Sequence, residues 1–127
     1  MVANALAGTR LLIMEDEFLI AMDIEQVCRD HGAQECVIVR SLAELGPEPD
    51  FGFDAAVVDM KLGGDSTVDF AHQLLARNVP FVFSTGYSDL GEVAAGFPGI
   101  TVVTKPYDGP DLVKALAAAM ERSTGRR

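Results

Sequence analysis

Apolar residues come in two rhythms along this chain, and the two alternate. Short unbroken runs appear at Arg10–Met14, Cys36–Val39, Ala55–Val58, Pro80–Phe83 and Ile100–Thr104. Each is four or five residues long and reads as a strand, and Ala55–Val58, with two β-branched valines, reads as one buried on both faces, as in a parallel sheet. Between them the spacing turns helical. Ile20, Ile24, Val27 and Cys28 share one face of a helix predicted over Phe18–His31, with Gly32 placed to end it. Val68, Ala71, Leu74 and Leu75 define the buried face of a second helix over about Thr67–Asn78. Pro110 opens a last one through Leu112, Val113, Leu116 and Met120 to about Arg122. Ser41–Leu45 reads as a short helix with Ser41 as N-cap, stopped by Pro47 and Pro49. Residues 88–99 hold three glycines and Pro98, so a helix there would be short and weak.

Strands alternating with helices imply an α/β fold: a doubly wound parallel sheet of five strands with helices on both faces. The expected organisation is a loose arm over 1–8, one domain over 9–122 and a short basic tail over 123–127, with no room for an output domain.

Composition narrows the function. The chain has 127 residues, is 49% hydrophobic and carries a formal net charge of −9. It can bury a core, and its charge argues against a nucleic-acid-binding face. No apolar stretch approaches the ~18 residues of a membrane span, and Met1–Gly8 lacks the pattern of a signal peptide. Cys28 and Cys36 fit no metal or redox spacing and read as reduced thiols in a cytoplasmic protein.

The chemistry lies at the strand ends. Glu15-Asp16, Asp59, Ser84-Thr85 and Lys105 follow the first, third, fourth and fifth strands. In an open α/β sheet these ends share the edge where ligands bind. Three carboxylates brought together repel one another unless a cation balances them, and an all-oxygen site with several waters suits Mg²⁺. Asp16 and Asp59 are the candidate direct ligands, Glu15 a ligand through water, and the backbone carbonyl of Lys61 a further one. A phosphoryl group could then be held against Asp59 as nucleophile, with Lys105 and the Thr85 hydroxyl on its equatorial oxygens.

With these residues in this order, the chain resembles the receiver domains of two-component response regulators. The likeness rests on Glu15-Asp16, Asp59, Thr85 and Lys105-Pro106-Tyr107 and covers nearly the whole chain. It implies a flavodoxin-like sheet of order 2-1-3-4-5, Asp59 as phosphoacceptor, Mg²⁺, a cis Lys105–Pro106 peptide and a sensor histidine kinase as partner. It also admits a histidine phosphotransfer protein, and a monomer or weak dimer.

Pro80-Phe81-Val82-Phe83-Ser84-Thr85-Gly86-Tyr87 looks like the motif of the single-domain FATGUY receivers, which pair with HWE-type kinases. Two departures from ordinary receivers agree: Leu62-Gly63-Gly64 stands where a proline is usual after the acceptor, and Val102 where the fifth strand usually has an aromatic. Tyr87 or an ordering of 88–99 would then have to serve as the switch. The reading is a self-phosphorylating receiver rather than a conventional enzyme.

Other readings compete at each position. The acids at 15–17 are also what a helix N-terminus favours, and Asp65 reads as a helix-start acid. A never-phosphorylated binding module and an Mg²⁺-dependent aspartyl-phosphate phosphatase are the alternative functions. The first is opposed by the full set of site residues, the second by Glu15-Asp16-Glu17 where an Asp-x-Asp nucleophile would stand.

Overall fold

The protein is described here by a computed structural model covering residues 4–86, 91, 96–106 and 108–125, with the side chains of the last helix described to Arg122. Five parallel strands form the sheet: β1 (Arg10–Met14), β2 (Glu35–Val39), β3 (Ala55–Asp59), β6 (Phe81–Thr85) and β7 (Val102–Thr104). Their order is β2-β1-β3-β6-β7. This is the expected 2-1-3-4-5 order once the two short strands β4 (Lys61–Leu62) and β5 (Asp65–Ser66) are counted along the chain. The helices are α1 (Phe18–Asp30), α2 (Val68–Ala76) and α3 (Gly109–Gly125), with a 3₁₀ turn at Leu42–Leu45.

The unbroken apolar runs are explained by two cores, one on each face of the sheet. Leu12, Met14, Ala56, Val58, Phe81 and Phe83 pack with Phe70, Ala71 and Leu74 of α2. The alternate residues Leu11, Ile13, Ala55, Val57, Val82 and Val103 pack with Ile24 and Cys28 of α1 and Leu112, Val113 and Leu116 of α3. Because side chains alternate along a strand, a strand covered on both faces must be apolar at every position.

Local chemistry fixes the helix ends. Gly32, at φ +101°, and Asn78, at φ 58°, take the left-handed conformation that closes helix C-termini. Val79 N–H then donates to Leu74 O at 2.9 Å and Ala33 N–H to Cys28 O at 3.0 Å.

Several expectations need correction. Residues 4–8 are docked rather than loose, since Leu6 is fully buried and its N–H donates to His31 O at 2.9 Å. The α2 stripe is Phe70, Ala71 and Leu74, and Leu75 turns outward to the flank at 40% exposure. The 41–45 segment is a 3₁₀ turn in which the Ser41 side chain makes no capping bond, and Gly46 at φ +72° ends it before the prolines. Asp65 lies in a hairpin strand, so Asp69 is the acid in the first turn of α2. Ser84 and Thr85 belong to β6 and not to the loop after it. Tyr87, Tyr107, Arg126, Arg127 and most of 88–99 lie outside the described residues.

Cys28 and Cys36 are both free thiols. Burial, then the neighbouring Cys36 and Glu25, push the Cys28 thiol up to about 12. At pH 8 roughly one Cys28 in ten thousand is then a thiolate, the only form that attacks alkylating reagents. Iodoacetamide should leave Cys28 unmodified in the native protein and label it quickly in urea. Mass spectrometry of the peptides checks this, and native labelling of Cys28 as fast as Cys36 would contradict it.

Candidate functional site

The sheet carries the site residues to one edge. Glu15 follows β1 directly, Asp59 ends β3, Thr85 ends β6, and Lys105 follows β7. Register makes the convergence specific: Asp59 pairs with Ser84 and Thr85 with Thr104. Lys105 N–H donates to Thr85 O at 2.8 Å, so the parallel ladder runs one residue past the strand. The Lys105–Pro106 peptide is cis, as the resemblance implied.

At the centre, Lys105 Nζ lies 2.9 Å from Asp59 Oδ2 and 2.9 Å from Glu15 Oε1. The contact to Asp59 is a hydrogen bond. The contact to Glu15 is an ion pair by distance, but its angle falls short of a hydrogen bond, leaving buried Oε1 with charge nearby and no donor aligned on it. The other oxygen, Oε2, accepts the Glu17 N–H at 3.1 Å. Glu15 is only 1% exposed, and desolvation, with some repulsion from Asp59, raises its pKa despite Lys105 and the Glu17 amide. Burial by itself would lower the Lys105 ammonium. The hydrogen bond to Asp59 and the negative charges of Asp59 and Glu15 outweigh it and hold Lys105 above its ordinary value.

Asp16 completes an acid cluster. One carboxylate oxygen from each of Glu15, Asp16 and Asp59 lies within 4.8 Å of the others. Asp16 Oδ2 accepts the Gly63 N–H at 3.0 Å, and its backbone carbonyl accepts a guanidinium N–H of Arg40 at 3.3 Å. Lys105 offsets only part of the charge of the three carboxylates it lies among. Together with the unaligned buried oxygen of Glu15, that is a donor set fitting a hard divalent cation.

The pocket therefore unites Glu15, Asp16, Asp59 and Lys105, with Thr85 buried at the adjoining strand end. The Lys61 N–H donates to Asp59 Oδ1 at 3.3 Å, placing that residue beside the Asp59 carboxylate.

Sequence reasoning missed Thr67. This buried hydroxyl donates to Asp59 O at 2.7 Å and to Met60 O at 3.0 Å. It missed the β4–β5 hairpin too, although two glycines between Lys61-Leu62 and Asp65-Ser66 are a recognisable two-residue hairpin signal.

No family model matches the chain. It is 32% identical over 132 residues to the transcriptional regulatory protein PdtaR of Mycobacterium tuberculosis, covering 94% of this chain and 60% of that protein. It is 32% identical to the response regulator PhyR of Brucella abortus, with a TM-score of 0.72, covering 95% of this chain and 51% of PhyR. Its fold and its sequence likeness are those of response-regulator receiver domains. A response regulator receiver protein from Sinorhizobium medicae shares the fold at a TM-score of 0.77 and 22% identity, covering 91% of this chain and 97% of that one. The chain spans about 60% of the length of PdtaR and about half of PhyR. Among the described residues, no helix is long and apolar enough to cross a membrane.

Proposed function

We propose that this receiver domain accepts a phosphoryl group on Asp59 from the phosphohistidine of a sensor kinase. The observation that carries the reading is the Asp59 carboxylate itself. It is nearly buried at a strand end, hydrogen-bonded to Lys105, and clustered with two further acids.

In the transfer, an Asp59 oxygen forms a bond to phosphorus as the phosphorus–nitrogen bond of the donor breaks. The imidazole leaves with the electron pair. Lys105, already within 2.9 Å of Asp59, is placed to hold one of the equatorial oxygens by charge. Thr85 is assigned a second oxygen through its hydroxyl. Asp16 and Asp59, the Lys61 carbonyl, and Glu15 through water would hold Mg²⁺, which when bound neutralises charge on the transferring group. Hydrolysis of the acyl phosphate, with water forming a bond to phosphorus as the bond to the Asp59 oxygen breaks, returns free carboxylate and inorganic phosphate.

The finer reading is a cytoplasmic, single-domain FATGUY-type receiver served by an HWE-type kinase, with output through protein contact or by draining phosphate from a shared kinase. The 80–87 motif, the Gly63-Gly64 pair and Val102 support it.

Incubation with acetyl phosphate and Mg²⁺ should add one phosphoryl mass to the parent chain by intact-mass spectrometry, and none to Asp59→Asn or to the metal-free sample. A chain that also gains nothing from competent phosphorylated kinases is instead a binding module.

A further inference from the structure

The Lys61–Ser66 hairpin has no counterpart among the five sheet strands and sits against the acid cluster. Its stem is two residues a side, Lys61 opposite Ser66 and Leu62 opposite Asp65. Such a ribbon is not stable by itself. Two features fix it. Leu62 is buried in the core on the α2 face, and Thr67 clamps the base by donating its hydroxyl to Asp59 O and Met60 O. The hairpin is thus tied to the main chain of Asp59.

The turn then reaches across to a different loop. Gly63 and Gly64 sit at φ +56° and +90°, and a Cβ on either would meet nothing within 4 Å. Glycine is therefore favoured here by the backbone conformation and not by lack of space. That conformation points the Gly63 N–H at Asp16 Oδ2, 3.0 Å away and 47 residues distant in sequence.

We propose that the hairpin is a positioning element for Asp16, holding its carboxylate ready for the cation through the Gly63 amide. The inference rests on the metal reading of the acid cluster and deepens it. Mg²⁺ demands near-ideal octahedral geometry, so a ligand fixed in advance binds better than one that must be ordered. Groups that orient a metal ligand contribute tenfold or more in affinity.

The test measures cation affinity directly, by calorimetry with Mg²⁺ and by electron paramagnetic resonance with Mn²⁺. Proline at 63 lacks the N–H and cannot reach φ +56°. Alanine keeps the N–H but disfavours the conformation, and asparagine keeps both. Affinity should fall in the order parent, Gly63→Asn, Gly63→Ala, Gly63→Pro, with Gly63→Asn within about twofold of the parent and Gly63→Pro about tenfold weaker.

In an Asp16→Asn background the same substitutions should change affinity by less than about twofold, which a general loosening of the fold would not produce. If Gly63→Pro does not fold, the order of Asn and Ala decides alone. A parent that binds cation while every folded Gly63 variant binds equally well overturns this inference only. A parent that binds neither cation overturns the metal reading and this inference with it.

Discussion

Lys105→Met is expected to move phosphoryl uptake and Mg²⁺ affinity in opposite directions. In the resting site the ammonium is 2.9 Å from both Glu15 and Asp59 and is the cation that balances them. It is three-quarters buried, so water screens it incompletely. Removing it leaves two carboxylates that are nearly inaccessible to solvent facing Asp16 without the ammonium that offsets their charge. A divalent ion would then bind a more negative pocket, and a gain of about tenfold in affinity is a modest fraction of the Coulomb interaction at this range. The phosphoryl group, by contrast, loses the positive charge on one equatorial oxygen, a loss of the size caused by deleting one preorganised donor, roughly a hundredfold or more in rate. Calorimetry gives the first quantity and time-resolved intact mass the second. Uptake within threefold of the parent, or weaker Mg²⁺ binding, would show that Lys105 is a structural cation rather than part of the transfer site.

This opposition was only half legible in the sequence. The carboxylates, Thr85 and Lys105 could be placed at one sheet edge because strand ends are marked by where apolar runs stop, and a parallel sheet aligns those ends. The sheet order came from the resemblance to receiver domains, since the apolar runs alone do not rank the strands. What could not be read was anything that depends on a single hydrogen bond between segments distant in sequence. Lys105 lies between two acids only because the ladder continues one residue past β7 to Thr85 O. Thr67 looked like the first residue of a helix, and nothing local says that its hydroxyl turns back to Asp59 O. Leu75 was expected inside because it fits a helical period with Val68 and Ala71. Its flank of α2 is instead left open while Phe70 takes the sheet-facing position and stacks on Phe51 at 5.4 Å. Periodicity identifies a stripe to within about one residue in each turn, and the neighbouring elements choose which edge of the stripe is covered.

The N-terminal segment shows the same limit more sharply and leads to the largest stability effect expected. Small residues at a chain end read as a loose arm, since composition there gives no period. Leu6 nevertheless sits at 0% exposure in the core between the sheet and helices α1 and α3. The segment is laid along the end of α1 by three backbone bonds: Leu6 N–H to His31 O at 2.9 Å, Gly8 N–H to Gly32 O at 3.1 Å, and Gln34 N–H to Thr9 O at 2.8 Å. Gly32 permits this approach, because a Cβ there would lie 2.9 Å from the Ala7 Cα. Leu6→Ala removes a fully buried side chain and leaves a cavity beneath a pinned backbone that cannot collapse into it. The expected cost is about 3 kcal/mol, which for a domain of this size lowers the melting temperature by roughly 10 °C. Asn4→Ser, at an exposed position that contributes its backbone carbonyl to Ala7 N–H, should change stability by less than about 0.5 kcal/mol. Urea unfolding of the two variants separates the outcomes: a Leu6→Ala midpoint indistinguishable from Asn4→Ser would mean that the segment is dispensable to the fold, whereas the expected loss makes it part of the domain.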